Sequence, residues 1–102
     1  SFTGSHAWKT LEKYHINKMF VSGNGIDLER GVSEISDQEA DIKGAALKFA
    51  DEMIFLADES KLGVKLNFFF ANIDEINTLV TNQRPNSKWI TACKKIGINI
   101  IS

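Results

Sequence analysis

The stretch Glu52-Met-Ile-Phe-Leu-Ala57 limits the fold more than any other, because its apolar residues follow one another without polar alternation. A strand with one wet face alternates. An unbroken apolar strand belongs in a sheet covered on both sides, the usual setting of parallel strands flanked by helices. The rest of the chain supplies such partners in alternating order. A helix is predicted from Ser5 to about Tyr14, capped by Ser5, with Ala7, Leu11 and Tyr14 on one face. A strand follows from Lys18 to Ser22. Gly31 to Ile35 is expected to be loop. Ser36 or Asp37 then caps a helix reaching about Asp51, where Ser36 and Glu39 have capping-box spacing. Its stripe of Ala40, Gly44, Leu47 and Ala50, widened by Ile42, Ala46 and Phe49, is small enough to lie close to a sheet.

Beyond this apolar strand, Leu66 to Ala71 reads as a strand, Ile73 to Ile76 as one helical turn and Leu79 to Thr81 as a short strand. Pro85 to about Ile96 reads as a helix, with Trp89, Ala92, Cys93 and Ile96 on its apolar face and Gly97 ending it. Ile98 to Ile101 is a last strand. This order predicts an α/β fold with a mostly parallel sheet, right-handed crossovers and flanking helices.

Charge and composition exclude several functions. With 12 Lys and Arg against 13 Asp and Glu, net charge −1, the chain offers no broad basic surface for duplex DNA. At 102 residues it is one domain at most, 43% hydrophobic and 25% charged as in ordinary soluble domains. No apolar run approaches the roughly 20 residues that span a bilayer. Cys93 is the single cysteine, so no internal disulfide forms and a reducing cytoplasm is expected. No Cys/His cluster suits a metal, and no cofactor is implied. The start at Ser1-Phe-Thr-Gly4 and a leading helix without a strand before it read as a fragment of a longer chain.

Polar clusters fall where strands end or helices begin, the places where open α/β sheets bind ligands. Gly4 lies beside the first helix N-terminus, whose free N–H groups suit a phosphate or simply a cap. The turn Gly23-Asn24-Gly25 leaves the first strand. It is read as a strand-to-loop exit rather than a hairpin, since Ile26 to Val32 does not alternate. Asn24, Gly25 and Asp27 then suit a ligand's hydroxyls, or merely a turn. Glu39 and Lys43, at i, i+4, suit a surface ion pair. Asp58-Glu-Ser-Lys61 follows the apolar strand Glu52–Ala57, and Lys61 suits a phosphate as a point charge, or a solvated loop. Cys93 reads as an inert core cysteine, and Phe68-Phe-Phe70 as core rather than a stacking platform.

Taken together, Phe20-Val-Ser-Gly-Asn-Gly-Ile-Asp27, Gly31-Val32, Glu39-Ala40-x-x-Lys43, Leu56-Ala-Asp-Glu-Ser-Lys-Leu-Gly63 and Leu79-Val-Thr-Asn82 resemble the C-terminal sensor domain of DeoR-family transcriptional regulators. The segment Leu-Ala-Asp-x-Ser-Lys carries the most specific part of the likeness. The resemblance implies a fold similar to ribose-5-phosphate isomerase and glucosamine-6-phosphate deaminase. It also implies a phosphorylated-sugar effector, a homo-oligomer, and operator DNA bound through an N-terminal helix-turn-helix domain absent from this chain together with the first part of the sensor. The expected ligand-binding residues are Gly4, Asn24, Gly25, Asp27, Glu39, Lys43, Asp58, Ser60 and Lys61, with no catalytic residue. Where the family often has Asp, this chain has Asn24 and Asn82, and Ser22-Gly23 stands where Gly-Ala is commoner. Asn24 offers no carboxylate base, which weighs against the rival reading of a sugar-phosphate isomerase or deaminase. A purely structural oligomerisation module is the third reading.

Overall fold

The computed structural model describes residues 15–102. The expected first helix, Gly4 and Trp8 lie outside them. The described chain runs β1 (Ile16–Ser22), β2 (Gly25–Asp27), β3 (Gly31–Glu34), α1 (Asp37–Leu47), β4 (Ala50–Ala57), a 3-10 turn at Glu59–Lys61, β5 (Phe68–Ala71), a second at Ile73–Glu75, β6 (Thr78–Thr81), α2 (Ser87–Ile96) and β7 (Asn99–Ile101).

The apolar strand β4 holds the centre. A parallel sheet has the order β1-β4-β6-β7, and its register sets Val21 beside Phe55, Phe55 beside Leu79 and Leu79 beside Ile100. That row is the floor of the core: Phe55 and Leu79 are fully buried, and Trp89 and Cys93 of α2 join the same cluster. Cys93 is thus the inert core thiol expected from its place on the apolar stripe, and desolvation raises its pKa. The opposite face of the sheet is only partly covered among the described residues, with Phe20 64% exposed and Leu56 38%.

The second sheet departs from expectation. β2, β3 and β5 form a three-stranded antiparallel sheet in that order. Gly31 to Ile35, expected as loop, is therefore largely strand. The chain does leave β1 without pairing back onto it, but Ile26 to Val32 then makes a hairpin of its own, with Asp27 opposite Gly31. β5 pairs with β3 rather than joining the parallel sheet. Gly31 explains why this sheet closes. Its φ is +98°, and a Cβ there would sit 2.0 Å from the Ala71 carbonyl oxygen, so only glycine lets β3 turn in so close to the end of β5.

Helix α1 begins as read, with the Ser36 hydroxyl accepting from the Glu39 amide at 3.3 Å. It ends at Leu47, not near Asp51, because Ala50 and Asp51 already belong to β4, where Ala50 pairs with Ile16. The small-residue stripe does allow close packing: a Cβ on Gly44 would lie 3.2 Å from the Phe70 carbonyl oxygen. Helix α2 is capped by the Asn86 side chain and closed by Gly97 in the left-handed region.

Candidate functional site

The carboxyl ends of the parallel strands are tied together by main-chain and amide bonds. The Gly63 amide donates to the Ile26 carbonyl at 2.7 Å, joining the segment after β4 to the hairpin after β1. The Glu59 amide donates to Asn82 Oδ1 at 2.7 Å, joining the ends of β4 and β6. Ser33 Oγ accepts from the Leu66 amide at 3.1 Å and holds the same loop against β3. Of the polar clusters read from the sequence, the Asn24–Asp27 exit and the Asp58–Lys61 turn therefore lie on one connected rim.

At the β1 end of the rim is an open cleft of about 430 Å³, lined by Ser22, Gly23, Asn24, Glu34, Ile35, Ser36, Glu39 and Lys43. Its floor is Glu34, 5% exposed at the end of β3. Asn24 Nδ2 donates to Glu34 Oε1 at 2.8 Å. Lys43 Nζ, reaching from α1, bonds Glu34 Oε2 and the Ser22 carbonyl. The side chains of Lys43 and Glu34 are 20% and 6% exposed. This is a shielded, hydrogen-bonded charge pair linking β1, β3 and α1, not a surface contact. The expected Glu39–Lys43 pair is thereby corrected. Lys43 turns inward because a buried carboxylate needs its charge more than an exposed one does, and Glu39 stays at the cleft mouth.

The other candidates are placed differently. Asp27 does not line the cleft. Its Oδ2 accepts from the amides of Glu29 and Arg30 at 3.1 and 2.8 Å, so it caps the β2–β3 turn. Gly25 is buried, and a Cβ on it would meet the Val64 carbonyl oxygen at 2.5 Å and Ser33 Oγ at 2.8 Å. Its lack of a side chain makes room for neighbouring chain. Asp58 caps the 3-10 turn, accepting from the Ser60 hydroxyl at 2.6 Å and the Ser60 amide at 3.0 Å. Those two bonds, with Lys61 nearby, hold the Asp58 carboxyl below its ordinary pKa. Lys61 is half-buried at the end of that turn. Gly4 lies outside the described residues.

Glu34 is the residue sequence reasoning missed. It sat in a stretch read as loop, and its partners are ten and nine positions away, spacings that no local helix or strand rule connects. A bulge between Val32 and Ser33 also breaks the alternation that would otherwise tie the side of Glu34 to that of Val32. Phe69 and Phe70 are half-buried and carry cations, with the Arg30 guanidinium 4.8 Å from the Phe69 centroid and Lys43 Nζ 5.7 Å from that of Phe70. A separate hollow of about 500 Å³ between α1 and β5 holds none of the expected site residues.

The family model described as the DeoR C terminal sensor domain matches residues 1–83. The chain is 33% identical over 102 residues to the HTH-type transcriptional regulator IolR of Bacillus subtilis, covering 98% of this chain and 41% of that protein. It is 34% identical over 82 residues to the uncharacterized HTH-type transcriptional regulator YulB of the same organism, 80% of this chain and 32% of that one. It is 36% identical over 88 residues to the lactose phosphotransferase system repressor of Streptococcus mutans, 86% of this chain and 35% of that one. The chain thus spans between 32% and 41% of the length of these relatives.

Proposed function

The chain belongs to the DeoR C-terminal sensor domain family, and on that premise we propose that it reads a phosphorylated sugar for a transcriptional regulator of carbohydrate use. The observation that carries the reading is the shared rim: Asn24, Glu39 and Lys43 in one cleft, with Asp58, Ser60 and Lys61 on the neighbouring turn. In this reading the sugar's hydroxyls meet the Asn24 side and Lys61 lies near the phosphate, while Gly25 and Asp27 brace the pocket. The kinship with ribose-5-phosphate isomerase and glucosamine-6-phosphate deaminase is part of the same proposal, and the four parallel strands support it.

The domain is a sensor, not an enzyme: its family is a sensor family and its relatives are named as transcriptional regulators. Operator DNA would be bound by a helix-turn-helix part of the protein outside these 102 residues, consistent with the HTH-type regulators that the chain covers only in part. The regulator would work as a homo-oligomer in the cytoplasm. No helix among the described residues is long and apolar enough to cross a membrane. Sensing is then a shift of populations. The sugar phosphate favours one arrangement of the oligomer, and so changes operator affinity, only to the extent that it binds that arrangement more tightly than the other.

Thermal shift of the intact protein against a panel of pentose and hexose phosphates tests this. A ligand specific for the native state raises the melting temperature with its concentration. No shift with any of them would remove the sensing assignment, and turnover of ribose 5-phosphate or glucosamine 6-phosphate would restore the enzyme.

A further inference from the structure

Glu34 is, among the described residues, the one that is both charged and buried. Its two oxygens are engaged by different partners, Asn24 on Oε1 and Lys43 on Oε2. A carboxylate only accepts hydrogen bonds. Asn24 must therefore turn its NH2 toward Glu34, which fixes the amide and leaves Oδ1 as its remaining acceptor. Lys43, held between Glu34 and the Ser22 carbonyl, has its charge matched from below. Of the charged groups lining the cleft, Glu34 and Lys43 cancel and Glu39 adds one negative charge. A dianionic phosphate finds no net attraction there. An uncharged hydroxyl finds an oriented acceptor.

We propose that Glu34 sets the specificity of this cleft: by orienting Asn24 and matching the charge of Lys43, it makes the β1 end of the rim a reader of sugar hydroxyls rather than of the phosphate. The proposal rests on the sugar-phosphate reading above. It also accounts for the amide at position 24, since a carboxylate there would face Glu34 across a 2.8 Å bond, where two like charges cannot both stay ionised.

The test measures binding of a sugar-phosphate panel, and of inorganic phosphate as a phosphate-only probe, to the intact protein and to Glu34→Gln, Asn24→Asp and the double variant. Each single variant should weaken the best sugar phosphate by about tenfold or more, since a buried charged hydrogen bond is lost or opposed. Glu34→Gln should leave the affinity for inorganic phosphate undiminished. The double variant exchanges amide and acid and should recover about tenfold over either single change, as expected of directly coupled residues. If the wild type binds no sugar phosphate, the sensing reading and this inference both fall. If it binds and Glu34→Gln leaves the order of preference among the sugars unchanged, or weakens inorganic phosphate as much as the sugar phosphates, only the inference falls. Failure of both Glu34→Gln and the double variant to fold would make Glu34 a structural residue and equally overturn it.

Discussion

At the scale of single residues, the partner chosen by Lys43 decides how much it matters. An exposed i, i+4 pair with Glu39 would contribute a few tenths of a kcal/mol. The pair with Glu34 is shielded on both sides, at 20% and 6% side-chain exposure. Removing one member leaves a buried charge without its counter-charge, which costs roughly 3 kcal/mol and upward. Lys43→Met should therefore lower the unfolding free energy by about 3 kcal/mol, while Glu39→Ala should stay within about 0.5 kcal/mol of wild type. Urea denaturation at neutral pH checks both, and equal small effects would place Lys43 back on the surface. Asp58 gives a pH-dependent counterpart. The Ser60 hydroxyl and then the Ser60 amide, with a smaller contribution from Lys61, lower its pKa below the ordinary 3.8. A carboxyl lowered by folding contributes stability above its unfolded pKa and loses it as pH falls through the folded one. Ser60→Ala should raise the Asp58 midpoint toward 3.8 in an NMR titration. It should also shrink this acid loss and end it at a higher pH, because the folded pKa then lies closer to the unfolded one. An unmoved midpoint would show that the hydroxyl is not the cause.

At the scale of elements, the hairpin β2–β3 is where local reading failed and where one glycine bears most of the geometry. Its strands have three and four residues, too short to show a period. Their pairing depends on Gly31 meeting Ala71, forty residues on. Gly31→Ala adds an unfavourable φ and a Cβ 2.0 Å from a carbonyl oxygen, so β3 and β5 must part. The expected loss is at least about 2 kcal/mol, the sum of modest strain and overpacking. Chemical denaturation measures it, and a cost below about 1 kcal/mol would mean that the sheet edge yields freely. Elements with local signals were legible. The apolar run of β4, the Ser36 cap and the Gly97 stop each announced themselves within a few residues, and β1, α2 and the short β6 were placed within one or two positions of where they lie. The rim was half legible for the same reason. Asn24, Glu39 and Lys43 carried polar patterns at strand exits and a helix start. Glu34 is defined only by what three separate elements bring to it.

At the scale of the whole molecule, the two sheets do not have separate cores. Val21, Phe55 and Leu79 of the parallel sheet, Ile26, Val32 and Ala71 of the antiparallel one, and Trp89 and Cys93 of α2 belong to one buried cluster. The cleft straddles the join, with Ser22 ending β1, Asn24 following it, Glu34 ending β3 and Lys43 on α1. Neither sheet can open without pulling the cleft apart, and a ligand held there would stabilise both. Unfolding of the domain should accordingly be one cooperative transition. In a Trp8→Phe background, fluorescence of Trp89 in the α2 core and far-UV circular dichroism should give coincident curves. A bound sugar phosphate at about 100 times its dissociation constant should stabilise both by the same amount, about 2.7 kcal/mol, although Trp89 does not line the cleft. Two separated transitions, or a ligand effect seen by one probe alone, would show that the hairpin sheet folds as its own unit. The cleft would then report on the hairpin alone, and a ligand bound there would have no grip on the parallel sheet through which a regulator would have to transmit the signal.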